Sequence, residues 1–156
     1  MIWRPHGVPF FAFLLVLAAS TACSTVPADG IPFELGAAEF HGGDRIVIEH
    51  VQSTTGGFAP GSLVTVRGSY HLASRDAGTL YFGTTTNDPA YSQQPEPEAH
   101  EKVTRGSGTF ALQHRIPAAG HLHVTLYDLD SGQPFGGQYF GKDDSLLVTK
   151  AWAYAR

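Results

Sequence analysis

The chain has 156 residues, a formal net charge of −4, 42% hydrophobic residues and 15% charged ones. That length holds one domain, the apolar content excludes wholesale disorder, and the absence of any Lys/Arg run excludes an electrostatic footprint for nucleic acid. Eighteen Gly, ten Pro, ten Phe and six Tyr favour short strands and turns over helices, and a single cysteine excludes an internal disulfide.

Residues 1–22 have the layout of a secretory signal peptide. Arg4 supplies the positive charge, Val8 to Ala19 is an apolar run, and Ser20-Thr21-Ala22 are small. The run is too short to stay in a bilayer as a spanning helix. Cys23 follows directly, and Thr21-Ala22-Cys23 resembles the lipobox of bacterial lipoproteins, with Ser20 where that family usually carries Leu. The resemblance covers the N-terminus alone. It implies that Cys23 becomes the mature N-terminus, carries diacylglycerol and an amide-linked acyl chain, and makes the membrane a partner. Several acyl chains at about 0.8 kcal/mol per buried CH₂ anchor stably where one does not. Ser24, rather than Asp, in the next position implies the outer membrane, facing the periplasm or the exterior. The same residues also suit an ordinary signal peptide cut after Ala22, which leaves Cys23 as a free thiol.

Residues 23–43 read as the anchor and a tether, rich in small and turn residues. A flexible segment from Ser24 to Gly43 spans about 25 Å root-mean-square. Ile31, Phe33, Leu35 and Phe40 are more apolar than a linker needs, so part of it is expected to dock as an irregular first strand.

Residues 44–156 form the β domain. Asp44 to Val51 is a β-branched strand, and Gly56-Gly57 and Pro60-Gly61 mark the loop after it. Ser62 to Ala73 alternates Val64, Val66, Tyr70 and Leu72 against Thr65, Arg67 and His71. Ser74 to Gly78 reads as a turn, and Thr79 to Thr86 as the next strand, with Leu80 and Phe82 inward. Asn87 to His100 is a long polar loop in which Pro95-Glu96-Pro97-Glu98 is stiff and Tyr91 offers an anchor for a partner. Glu101 to Arg105 leads into Gly106-Ser107-Gly108, a bulge or bend.

Thr109 to Asp130 carries the strongest signal. Phe110, Leu112, His114 and Ile116 share one face, and after Pro117 to Gly120 the alternation resumes with Leu122, Val124 and Leu126. Two alternating runs around such a loop predict an antiparallel hairpin. Gln138 to Gly141 and Leu146 to Tyr154 close the chain as two further strands. About seven strands with regular turn signals predict an all-β fold, an immunoglobulin-like two-sheet β-sandwich, with a small β-barrel as the alternative.

The chemistry on offer is sparse. His121 and His123 share a strand face, about 7 Å apart, which is how a sheet presents two imidazoles to a metal, with His71 or His100 as a third ligand. The competing reading puts both on a solvent face. His114 and His50 fall on apolar faces, as buried bases or as hydrogen-bonded rim residues. Asp128, Asp130, Asp143 and Asp144 suit either calcium or plain turns. Neither Gly106-Ser107-Gly108 nor Gly61-Ser62 forms a nucleophile elbow, and no phosphate loop precedes a helix, so no cofactor and no enzyme activity is expected. Trp152 and Tyr154, with Tyr91, Tyr127 and Tyr139 nearby, suit either a sugar-binding row of rings or the core. The expectation is a lipid-anchored, non-enzymatic envelope module with a binding or structural interaction role, its partner an envelope protein or a glycan. A carbohydrate-binding module and a metal site at His121 and His123 are the alternatives.

Overall fold

The computed structural model describes residues 30–86 and 96–142. Within them the regular structure is antiparallel β except for one 3-10 turn, Pro97–Ala99. In chain order the strands are β1 (Glu34–Glu39), β2 (Arg45–Ser53), β3 (Leu63–Thr85), β4 (His100–Arg115), β5 (His121–Tyr127) and β6 (Pro134–Gly141). They form one sheet, ordered β1-β6-β5-β3-β2 with β4 also paired to β3, curled into a half-barrel. No helix of the described residues is long and apolar enough to cross a membrane.

The sheet is built on β3. Its first half pairs with β2, from Arg45↔His71 to Ser53↔Val64. Its second half pairs with β5, from Thr79↔Tyr127 to Thr85↔His121, while β4 follows its other edge from Leu63↔Arg115 to Tyr81↔His100. Period-two alternation along β3 sends Val64, Val66, Leu72, Leu80 and Phe82 inward, where all five are fully buried. Leu112, Val124, Leu126 and Phe140 meet them from β4, β5 and β6.

Two sequence expectations need correction. Residues 109–130 are not a hairpin: β4 and β5 each pair with β3, not with each other. The alternation assigned the correct faces, but alternation says nothing of the neighbour, and the length of β3 offers an edge to both. After β4 the chain turns closely over the end of β3. A Cβ at Gly120 would collide with the Thr85 carbonyl oxygen. Ser74 to Gly78 is not a turn either, since β3 runs through it.

At that point the ladder breaks. Leu72 faces Gly106 and Ala77 faces Thr104, so four residues of β3 oppose Arg105 alone. Such a bulge bends a strand and leaves backbone groups without ladder partners. Side chains supply them. Asp44 accepts the backbone N–H of Ala73 (2.8 Å) and of Ser74 (2.9 Å) and the Ser74 hydroxyl (2.5 Å). Arg105 donates to the Ala73 carbonyl and to Asp76 (3.0 Å). Gly106, at φ +109°, occupies the left-handed region that the bend requires.

β1 pairs with β6 at the sheet edge and shifts register between Leu35 and Ala38. This is the irregular first strand expected within residues 23–43. The signal segment with Cys23, Tyr91, the strand expected at 146–154 with Trp152 and Tyr154, and Asp143 and Asp144 lie outside the described residues.

Candidate functional site

On the face of β3, β5 and β6 turned away from the core, the ladder sets aromatic rings side by side. Thr79 pairs with Tyr127, and His123 with Tyr139. Tyr81 stacks on His100 of β4 at 4.7 Å and 28°. It meets Tyr127 edge-on at 5.9 Å and His123 at 6.0 Å. Tyr139 continues the run, 5.4 Å from His123 and 6.2 Å from His121.

His121 and His123 do share a face, but both rings pack against Tyr139. His123 is 6% exposed, so it is not a solvent-face residue. β5 is an interior strand, flanked by β3 and β6. The His123 Nδ1 lies 2.8 Å from the Thr125 hydroxyl. Burial, with a smaller contribution from His114, pushes its pKa down to about 4. Burial also raises the phenols of Tyr127 and Tyr139. His71 is hydrogen-bonded to Ser107 at 2.8 Å, and His100 is stacked on Tyr81. Among the described residues no three His, Cys, Asp or Glu side chains gather as a metal group.

At the Thr79–Tyr127 end of this face a cleft of about 300 Å³ opens, lined by Thr79, Tyr81, His100, Tyr127, Asp128, Leu129 and Gly132. Its corner is formed by the stacked Tyr81–His100 pair and by Tyr127, whose ring stands at 72° to that of Tyr81. The β5–β6 turn makes the rim. Asp128 shapes that turn by accepting the N–H of Ser131 (2.9 Å) and of Asp130 (3.2 Å), and the Ser131 hydroxyl (2.8 Å). Its other oxygen takes Arg75 at 2.6 Å. The Ser131 hydrogen bonds, chiefly, hold this carboxyl below the usual range. Asp128 is thus a turn former. Leu129 stands on the rim, 48% exposed. The hydroxyl of Thr79, the phenol of Tyr127 and the imidazole of His100 enter no hydrogen bond among the described residues.

Family models, curated proteins and solved structures provide no match to this chain. The functional reading therefore stands on its own residues.

A histidine of β4 is buried beside the core ring of Phe82. His114, 3% exposed, has its Nε2 2.9 Å from the Thr84 hydroxyl and its Nδ1 2.7 Å from a Glu96 carboxylate oxygen. A carboxylate only accepts, so Nδ1 carries the proton and, in the neutral ring, Nε2 accepts from Thr84. Hydroxyl, imidazole and carboxylate in this order have the connectivity of a nucleophilic triad. Thr84 is itself buried, however, and neither the cleft above nor a second one beside Glu49 and Arg67 is lined by it. The arrangement satisfies a buried histidine. Alternation placed His114 on the apolar face, whereas Thr84 and Glu96 carried no signal, because only the curl of the sheet brings them together.

Proposed function

We propose that this chain is a lipid-anchored, non-enzymatic binding module of the bacterial cell envelope, which holds its ligand in the Tyr81–His100–Tyr127 cleft. The cleft carries the reading. It joins apolar ring faces to three polar groups that enter no hydrogen bond among the described residues, the composition expected of a small-ligand site. The anchoring part is supported by the lipobox-like Thr21-Ala22-Cys23 after an apolar leader. The attached fold reading is that the two halves of the curled sheet act as the layers of an immunoglobulin-like sandwich. The side-chain contact between Thr84 and His114 supports it. Amide exchange tests that point: fast exchange along the outer edge of β2 fits an open sandwich, and protection there fits a closed barrel.

Palmitate labelling of cells expressing the full chain tests the anchor. Label is expected in the membrane fraction for wild type and not for Cys23→Ala, and an unlabelled wild type ends the lipoprotein reading. A photo-crosslinker at Leu129 tests the cleft, with the equally exposed Leu35 (51%) as the control site. Adducts in living cells are expected at 129 and are expected to be lost with His100→Ala. Equal labelling at 35 and 129 refutes the cleft as the binding site.

A further inference from the structure

We infer that the ligand of this cleft is a neutral carbohydrate, with one pyranose face laid against the rings. This rests on the cleft being a binding site. The argument is one of matching chemistry. A pyranose has an apolar C–H face and an equatorial belt of hydroxyls, each both donor and acceptor. The negative π-face of an aromatic ring attracts the slightly positive C–H bonds. The His100–Tyr81 stack and the steep Tyr127 ring provide two such walls at a corner. Around that corner the polar groups are the Thr79 hydroxyl, the Tyr127 phenol and the His100 imidazole. All can act as donor and as acceptor, which suits hydroxyls better than a charge.

Charged ligands find less to hold. An anion needs a cation, and Arg75, which reaches the β5–β6 turn from β3, is committed to Asp128 at 2.6 Å and to the Phe135 ring at 4.3 Å. Lys102 stands opposite Thr79 in the ladder but does not line the cleft. A cation needs a carboxylate, and both oxygens of Asp128 are occupied by the turn and by Arg75. The volume, about 300 Å³, is at the small end for ligand sites. That favours a short stretch of glycan over a large amphiphile.

The test uses the full chain in a detergent without a sugar head group. Isothermal calorimetry follows titration with chitotetraose, with cellotetraose and with indole, the last as a flat ligand without hydroxyls. Saturable binding of at least one oligosaccharide is expected, weakened about tenfold by His100→Ala and less by Thr79→Val. Unchanged melting curves for these surface variants show that the fold is intact. If indole binds in a His100-dependent way and neither sugar does, the carbohydrate assignment is overturned while the cleft remains a site. If neither sugar nor indole binds, both readings fall. Sugar binding that ignores both variants places the glycan elsewhere and overturns the inference.

Discussion

The Thr84 hydroxyl lies 2.9 Å from His114 Nε2, yet in the ladder His114 faces Val64 and Thr84 faces Leu122. Val64 and Thr84 stand near opposite ends of the same strand. Only a strand bent back over the core brings such residues together, so this hydrogen bond monitors the curl of the sheet. Thr84→Val keeps the shape and leaves a buried imidazole nitrogen unpaired. A loss of about 1–3 kcal/mol in urea unfolding is expected. A loss within error would mean that the contact does not hold the curl.

Asp44 governs the bend through acid. Burial raises its carboxyl, but the hydrogen bonds from Ser74 and Ala73 and the nearby Arg75 outweigh that and leave its pKa below the ordinary 3.8. A group depressed in the folded state stabilises fully above its unfolded pKa and loses that contribution as pH falls through the folded value. Asp44→Asn is expected to cost about 2–3 kcal/mol at neutral pH. The gap from wild type should close below pH 3.8. A gap that stays constant down to pH 2 would show that the charge on Asp44 is not what matters.

His123 adds a second pH dependence, in a different window. Its pKa of about 4 lies below the ordinary 6.5, so the unfolded chain takes up this proton first as pH falls. Its contribution is complete above 6.5 and is lost between there and about 4. The span corresponds to on the order of 3 kcal/mol. In a proton NMR titration the His123 ring is expected to show its midpoint near 4, whereas a midpoint near 6.5 would contradict its burial. His123→Gln should flatten stability across that window.

Gly68 tests the packing of β2 on β3. A Cβ there would collide with the Val47 carbonyl oxygen and stand 3.0 Å from the Phe110 ring. Gly68→Ala is expected to cost about 3 kcal/mol or more. Gly57→Ala meets nothing within 4 Å and serves as the neutral control. Equal melting temperatures for the two variants would refute this register.

The faces of the strands were legible in the sequence; their neighbours were not. Phe110, Leu112, His114 and Ile116 are buried together as their alternation requires, and so are Leu122, Val124 and Leu126. Side-chain parity fixes which face a residue takes, but pairing depends on lengths and bends that parity does not encode. Ser74 to Gly78 misled for a related reason. A wide bulge and a turn draw on the same small and polar residues, and the partners that distinguish the bulge, Asp44 and Arg105, lie about thirty positions away. The cleft was illegible for want of pairing. Thr79, His100 and Tyr127 come from three strands, and nothing local relates them.

β3 belongs to both halves of the sheet without interruption, from Leu63 to Thr85. A strand shared in this way leaves no seam along which one half could melt while the other survives. Loss of either half removes the template for the other, and calorimetry should record one cooperative transition. Partly opened forms, with their unpaired edges, are the species that aggregate. A continuous central strand keeps such forms scarce.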